Sequence, residues 1–189
     1  MKININILNE FKACEEGKEE FLKHFQNDEA DYQEVLDKCV DLGFLNFAEW
    51  LVLKMPATND TVEVDEIISD GSVFFAGNVK VKNYVRVNGC VYVGGSIDVG
   101  GRIYVEGGII AGKSIKSKGK IKAARDIFAN GYIKSLSSIK SSKNIKAGEH
   151  IEASKHIKAG KHIEAGGHIK AGENFCIFAG VPVSKKIWH

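Results

Sequence analysis

The sequence predicts an α+β protein in which a small helical domain, residues 1–60, precedes a three-sided parallel β-helix, residues 61–189. Two observations indicate the β-helix: an apolar residue recurs at every sixth position, and an apolar or small residue follows each one two positions later. A third observation, helix-like spacing of apolar residues near the N-terminus, indicates the helical domain. Twenty consecutive positions carry the period of six: Val73, Val79, Val85, Val91, Ile97, Ile103, Ile109, Ile115, Ile121, Ile127, Ile133, Ile139, Ile145, Ile151, Ile157, Ile163, Ile169, Phe175, Val181 and Ile187.

Neither an α-helix nor an ordinary strand has a period of six. Residues i and i+2 of a strand share one face, so each unit is a short strand with two inward side chains, one outward side chain and a corner. Three units make one turn of about 18 residues, and stacked turns bury the inward residues against one another. Turns about 4.8 Å apart give a rod of roughly 30 Å. We expect positive φ angles at the corner glycines, Gly94, Gly95, Gly100, Gly101, Gly107, Gly112, Gly148, Gly160, Gly166 and Gly172.

The N-terminal domain is predicted to contain three helices. Asn9 is a candidate cap for the first, which would run through Phe25, although Gly17 weakens that prediction. A second helix is expected over residues 31–42, ending at Gly43. A third is expected over residues 47–55, and residues 57–61 form a polar linker to the β-helix.

The charge is divided between the two domains. Residues 1–70 contain 17 Asp and Glu and 6 Lys and Arg, whereas residues 71–189 contain 7 and 20, which gives −11 and +13 and the net charge of +2. The four cysteines are widely separated, as is typical of a protein from a reducing compartment. Because the chain also lacks a signal peptide and a long apolar run, we expect a cytoplasmic protein that does not enter a membrane.

An 18-residue turn sorts the outward residues into three columns. The first column is Phe74, Tyr92, Ile110, Phe128, Lys146, Glu164 and Pro182; the second is Lys80, Asp98, Lys116, Lys134, Glu152, Lys170 and Trp188; the third is Arg86, Tyr104, Lys122, Lys140, Lys158 and Cys176.

Two of these columns contain candidate interaction surfaces. Phe74, Tyr92, Ile110 and Phe128 form an apolar stripe, for which docking of the helical domain is favoured over a dimer surface. Arg86, Tyr104, Lys122, Lys140 and Lys158 form a basic ladder. Lysines on this face can serve solubility alone. They could also contact an acidic protein or a nucleic-acid-containing complex. Direct nucleic-acid binding is less favoured because Tyr104 is the only stacking residue on the face.

No catalytic, metal or cofactor site is expected. Four histidines precede anchor isoleucines at intervals of six, so only His150 and His168 stack on one side, and two histidines without an acidic ligand make a poor metal site. The chain has no GxSxG, Walker or HExxH motif. We therefore predict that the protein is not an enzyme.

Two resemblances bear on handedness and origin. The small residue lies two positions after the aliphatic anchor, and this repeat resembles that of the bactofilins, which implies a right-handed β-helix and self-assembly. The segments ACEEGKEEFLKHF (13–25) and FLNFAEWLVLKM (44–55) before the repeats resemble small phage and prophage proteins. The matching residues are Ala13, Cys14, Gly17, Phe21, Ala48, Trp50 and Leu51.

The phage resemblance implies an origin more than an activity. By analogy with compact, non-enzymatic phage proteins of this size, we expect an inhibitor of a host defence machine, including CRISPR effector complexes. Its partner would be a host protein or ribonucleoprotein complex in the bacterial cytoplasm, and a homodimer is possible. The alternative is a self-assembling scaffold of the bactofilin kind. The terminal segment VPVSKKIWH is expected to cap the rod against further stacking.

Overall fold

A computed structural model describes residues 1–25 and 29–180 and shows four helices followed by a parallel β-solenoid of about seven turns. The predicted α+β fold class is confirmed. Among the described residues, no helix is both long enough and apolar enough to cross a membrane.

The start of the helical domain, called the head below, differs from the prediction. The chain begins with β1 (Lys2–Asn4) and α1 (Ile5–Glu10), and α1 is capped by Asn4, whose side chain accepts a hydrogen bond of 3.0 Å from the Ile7 N–H. A second helix, α2 (Glu15–His24), follows. The single helix expected to start at Asn9 is therefore wrong: Lys12 adopts a φ of 60°, a left-handed conformation that interrupts helical hydrogen bonding.

The rest of the head agrees closely with the sequence. Strand β2 (Glu29–Asp31) pairs antiparallel with β1. Helix α3 (Tyr32–Leu42) is confirmed, with an Asp31 cap and with Gly43 at φ 77° as its stop. Helix α4 (Leu45–Lys54) starts two residues before the predicted position and ends just before Pro56.

Gly17 lies inside α2 for a packing reason. A Cβ atom at this position would be 2.5 Å from Cε2 of Phe47 in α4. Glycine therefore allows α2 to approach the aromatic side chain of α4 closely, which offsets its low helix propensity.

Twenty short strands follow the head within the described residues. They are β3 (Thr61–Val64), β4 (Ile67–Ser69), β5 (Val73–Phe75), β6 (Asn78–Val81), β7 (Val85–Val87), β8 (Val91–Val93), β9 (Ile97–Val99), β10 (Ile103–Val105), β11 (Ile109–Ala111), β12 (Ile115–Ser117), β13 (Ile121–Ala123), β14 (Ile127–Ala129), β15 (Ile133–Ser135), β16 (Ile139–Ser141), β17 (Ile145–Ala147), β18 (Ile151–Ala153), β19 (Ile157–Ala159), β20 (Ile163–Ala165), β21 (Ile169–Lys170) and β22 (Ile177–Phe178).

Each strand from β3 to β19 pairs in parallel with the strand three positions later, which produces three sheets among the described residues. Face 1 is the six-stranded sheet that contains β5, β8, β11, β14, β17 and β20. Face 2 is the seven-stranded sheet that contains β3, β6, β9, β12, β15, β18 and β21. Face 3 is the seven-stranded sheet that contains β4, β7, β10, β13, β16, β19 and β22.

The interior contains the residues that the period predicts. Anchors in the middle of the rod, such as Ile121 and Ile139, are fully buried, and the small residues two positions later are buried beside them. Three serines take the place of alanine. Each buried hydroxyl donates to a backbone carbonyl of the preceding turn, for example from Ser135 to Gly119 at 2.7 Å, so a polar group inside the rod is satisfied.

The corner glycines have a different role from the expected one. Among the described glycines, only Gly43 and Gly180 have positive φ. The prediction for the ten corner glycines is therefore wrong. At a corner such as Gly112, a Cβ atom would lie 2.0 Å from the carbonyl oxygen of Gly94 in the turn before it. Close stacking of the backbone, rather than a left-handed turn, accounts for glycine there.

The frame shifts at both ends of the solenoid. Val62 pairs with Val79, a spacing of 17 residues, and Ile157 pairs with Ile177, a spacing of 20. The anchor assignment of Phe175 is therefore wrong, because two additional residues lie between β21 and β22. The predicted positions of Val181, Pro182 and Ile187 and the predicted end-cap at Trp188 lie outside the described residues.

Candidate interaction face

The head covers the outer side of face 1 along its first three strands, β5, β8 and β11. Phe74 and Tyr92 are buried and stack with their ring centroids 4.8 Å apart, and Ile110 packs partly buried against the same hydrophobic cluster. Burial, and secondarily a hydrogen bond with Glu49 of α4, raise the pKa of the Tyr92 phenol. Phe128, the fourth residue of the apolar stripe, is half-buried and lies beyond this cluster.

Gln33 joins the head to the solenoid through the backbone. Its side-chain amide donates to the Phe74 carbonyl at 3.1 Å and accepts from the Ala76 N–H at 2.9 Å. The Gln33 side chain thus satisfies one N–H donor and one carbonyl acceptor in the backbone of residues 74–76. The apolar stripe and this pair of hydrogen bonds together hold the head against the side of the rod.

Face 2 balances its own charges. Lys80 lies 2.8 Å from Glu63, Lys116 lies 4.0 Å from Asp98, and Lys134 lies 2.7 Å from Glu152. Pairs this exposed contribute at most about 1 kcal/mol each. Lys116 and Lys134 are direct neighbours, but every lysine of this column also adjoins a carboxylate on a neighbouring strand. The positive charges of face 2 are therefore balanced locally.

Face 3 brings the predicted basic ladder together in one column. Parallel pairing places Arg86, Tyr104, Lys122, Lys140 and Lys158 side by side on consecutive strands. The last member differs from the prediction, because the frame shift pairs Lys158 with Phe178 and removes Cys176 from the column. Both ends of the lysine run therefore adjoin an aromatic ring.

Three successive turns make this face strongly basic. Residues 118–125, 136–143 and 154–161 contain no Asp or Glu. Asp126, the next residue at the adjoining corner, accepts hydrogen bonds from the backbone and side-chain N–H groups of Asn144 at 3.0 and 2.7 Å. The nine basic residues in the three segments are Lys118, Lys120, Lys122, Arg125, Lys140, Lys143, Lys155, Lys158 and Lys161.

The ladder lysines influence one another. Partial burial lowers the pKa of Lys140, and the positive charges of Lys120, Lys122 and Lys158 lower it further. Like charges held on neighbouring strands repel, so an anion that binds between them would relieve the repulsion. The basic face is therefore suited to an anionic ligand.

A shallow cavity of about 190 Å³ lies in the middle of the ladder. Its polar lining consists of Lys120, Ser138, Lys140, His156 and Lys158. The Cys176 N–H donates to Nδ1 of His156 at 3.2 Å, so the neutral imidazole has its proton on Nε2. Every polar side chain of this cavity can therefore donate a hydrogen bond.

The two aromatic rings that flank the three ladder lysines, Tyr104 and Phe178, already interact with lysine side chains. Nζ of Lys122 lies 4.1 Å from the centroid of the Tyr104 ring and also contacts its hydroxyl. Nζ of Lys158 lies 5.0 Å from the centroid of Phe178. These are cation–π distances, so the rings and the lysines form one continuous surface.

Two of the histidines stack as their spacing predicts, but a carboxylate that the prediction did not include lies beside them. His150 and His168 stack with ring centroids 4.2 Å apart, and Nε2 of His168 lies 2.9 Å from a carboxylate oxygen of Glu152. Within residues 1–25 and 29–180, no group of three or more His, Cys, Asp or Glu side chains is placed to hold a metal ion.

A larger cavity, of about 430 Å³, lies in the head between α2, α3 and α4. Its lining includes Phe21, Phe47, Trp50 and Cys39, and burial raises the pKa of the Cys39 thiol to about 11. Sequence reasoning missed this cavity. The same apolar residues predicted only a helix face, and the space between the helices depends on their tertiary packing.

Comparison of the chain with protein-family models, curated proteins and solved structures gave no match. The class defined here is therefore structural: a helical head docked on one side of a three-sided parallel β-solenoid. These comparisons support neither a bactofilin nor a phage identity, and both resemblances stay predictions from the sequence.

Proposed function

We propose that the protein is a non-enzymatic interaction module that binds an acidic macromolecular surface through face 3. The observation that carries the proposal is the contrast among the three faces. The head covers the first three strands of face 1, and carboxylates adjoin the lysines of face 2. Face 3 and its adjoining corners present nine basic side chains, with no Asp or Glu in the same segments. A surface of one sign attracts and orients a partner of the opposite sign.

The partner that fits this surface is a protein or ribonucleoprotein complex whose surface carries negative charge, from carboxylates or from phosphates. The resemblance of the head segments to phage and prophage proteins supports a finer proposal, that the partner is a host defence machine such as a CRISPR effector complex in the bacterial cytoplasm. Inhibition would then follow from occupation of a surface that the complex needs, without chemistry on the part of this chain.

The test is affinity purification from the native host with two variants of equal charge change. The triple variant Lys122→Glu, Lys140→Glu and Lys158→Glu reverses face 3. The matched control, Lys80→Glu, Lys116→Glu and Lys170→Glu, reverses exposed lysines of face 2.

We expect the wild-type protein and the face 2 control to recover the same assembly, identified by mass spectrometry, and the face 3 variant to lose it. An assembly that all three proteins recover equally would exclude face 3 as the contact. Recovery of no specific assembly by the wild-type protein would contradict the interaction module itself.

A second candidate function, a self-assembling scaffold, is favoured by the first turn of the solenoid. Strands β3, β4 and β5 lie at the ends of their sheets, and their inward residues, including Val62 and Ile67, are only partly buried. Ile68 is 62% exposed on the same edge. The head packs against the outer side of face 1, and strand edges of this kind can pair with another chain.

Sedimentation velocity at increasing concentration tests the scaffold. End-to-end stacking predicts a continuous shift to larger species, which Ile68→Lys should reduce by placing a charge at the edge. A single species at all concentrations would exclude end-to-end stacking.

A dimer through the apolar stripe is a separate case. Because the head of the same chain already buries Phe74 and Tyr92, Phe128 is the stripe residue left for such a contact.

A further inference from the structure

We infer that face 3 binds single-stranded nucleic acid, with the lysine column on the phosphates and the rings of Tyr104 and Phe178 stacking on bases. The inference rests on the proposed function, because it names the ligand chemistry of the same face. Its starting point is the frame shift at the C-terminal end, which replaces Cys176 by Phe178 and gives the lysine run an aromatic ring at each end.

The dimensions of the surface suit a short single strand. From Tyr104 to Phe178 the column crosses four strand-to-strand spacings, or about 19 Å at about 4.8 Å each. The three lysines between the rings lie in register on a parallel sheet. Proteins that hold single strands without sequence preference combine such a line of charge with aromatic rings on which bases stack.

The cation–π contacts suggest how a ligand would bind. Lys122 lies over Tyr104, and Lys158 lies over Phe178. A base that stacks on either ring displaces the ammonium group from that ring, and the displaced ammonium can then contact the adjoining phosphate. Each exchange replaces one cation–π contact by a base stack and a charge-assisted phosphate contact.

The corners on both sides of the column extend the positive surface. Lys118 and Lys120 lie on one side, and Arg125, Lys143 and Lys161 lie on the other. A phosphodiester chain that crosses the face obliquely would therefore remain near basic side chains. The lowered pKa of Lys140 agrees with this arrangement, because phosphates between the crowded ammonium groups would offset their mutual repulsion.

Single strands fit this face better than duplexes or acidic proteins. The bases of a duplex are stacked on one another, so the rings of Tyr104 and Phe178 could not reach their faces, and a sheet face places no helix or ribbon in a groove. An acidic protein surface would satisfy the lysines and leave both rings without a function.

The experiment measures fluorescence anisotropy of labelled 20-nucleotide oligo(U) and oligo(dT) with the full chain at 50 to 200 mM salt. Unlabelled duplex DNA and polyglutamate serve as competitors. The variants are the face 3 and face 2 triple variants defined above, together with Tyr104→Leu and Phe178→Leu. Circular dichroism melting confirms that each variant is folded, and lysine-to-glutamine versions replace any charge reversal that unfolds.

We expect both oligonucleotides to bind, and comparison of oligo(U) with oligo(dT) distinguishes RNA from DNA as the preferred source of the phosphate chain. Loss of three phosphate contacts should reduce the slope of log K against log salt by about 2 in the face 3 variant. Each leucine variant should weaken binding about tenfold through loss of a base stack. The face 2 control should bind as tightly as the wild-type protein.

Absence of oligonucleotide binding, equal competition by duplex DNA or polyglutamate, or leucine variants that bind as tightly as wild type would each overturn the inference. The proposed function fails separately. If oligonucleotides do not bind but the face 3 variant still loses a host assembly in affinity purification, the interaction module stands and its ligand is an acidic protein.

Discussion

Replacement of Ile139 by Asp tests the packing that supports every face of this molecule. Ile139 is fully buried in β16, and its side chain stacks between the anchors Ile121 and Ile157 of the neighbouring turns. Because no part of the side chain reaches solvent, a carboxyl group at this position would be neither hydrated nor paired with a hydrogen-bond donor.

The expected destabilisation follows from two contributions. Truncation of a buried isoleucine to alanine costs about 2–5 kcal/mol, because it removes apolar contacts and leaves a cavity. An unsatisfied buried polar group adds about 1–3 kcal/mol, and more if it is charged. We therefore expect Ile139→Asp to cost about 5 kcal/mol or more, which is comparable to the total stability of many domains of this size.

Limited proteolysis and thermal melting measure this effect. Because each turn of a solenoid contacts only its neighbours, the damage should spread from the fifth turn toward the C-terminus, while the head and the first turns, which it covers, form a protected fragment. Ile139→Val provides a graded comparison, with an expected cost of about 0.5–1.5 kcal/mol. Lys140→Ala, an outward change at the next residue, should leave the melting temperature nearly unchanged.

Two results would refute this reasoning. A protease pattern and melting temperature of Ile139→Asp equal to wild type would show that the anchor column is not a packed interior. A large loss of stability in Lys140→Ala would show that its side chain does not point outward.

Three further predictions concern a corner, the head and pH. Gly112→Ala should lower the free energy of unfolding by about 1–3 kcal/mol in chemical denaturation, because the new Cβ would meet the Gly94 carbonyl oxygen. The control Asn130→Ala, in the next turn of the same corner, should be nearly neutral. Equal effects of the two substitutions would contradict the explanation by close backbone approach. Gln33→Leu should speed hydrogen exchange at the Ala76 amide and lower the free energy of unfolding by about 1–3 kcal/mol. Unchanged exchange would show that the Gln33 hydrogen bond does not protect that amide. Hydrogen bonds from Lys134 and His168 lower the pKa of Glu152, so its contribution to stability is present above its ordinary pKa of 4.5 and is lost as pH falls through the lower folded value. Glu152→Gln should flatten this part of the stability–pH curve. A wild-type curve that is already flat there would contradict the lowered pKa.

Much of the fold can be read from local patterns. The solenoid anchors follow a strict period, and the cap at Asp31 and the stop at Gly43 follow from simple backbone rules. The break between α1 and α2 was not predictable in the same way, because Phe11 and Cys14 continue a helical spacing across it. The left-handed conformation of Lys12 depends on how α1 and α2 pack, which no local preference specifies.

The candidate site was predicted in its composition but not in its extent. Arg86, Tyr104, Lys122, Lys140 and Lys158 lie in one column, because any 18-residue turn aligns them. The second aromatic ring was not predictable, since it depends on two additional residues before β22 that break the period.

The repeat of six alone is sufficient to specify a three-sided parallel rod with apolar columns inside and charged columns outside, because inward and outward directions follow from strand alternation. The roles of the three outer faces required contacts between distant residues. Docking of the head on face 1, ion pairing along face 2 and the Phe178 end of face 3 all depend on distances and registers across separate turns. These are set by packing of the complete chain, and a local pattern of residues cannot contain them.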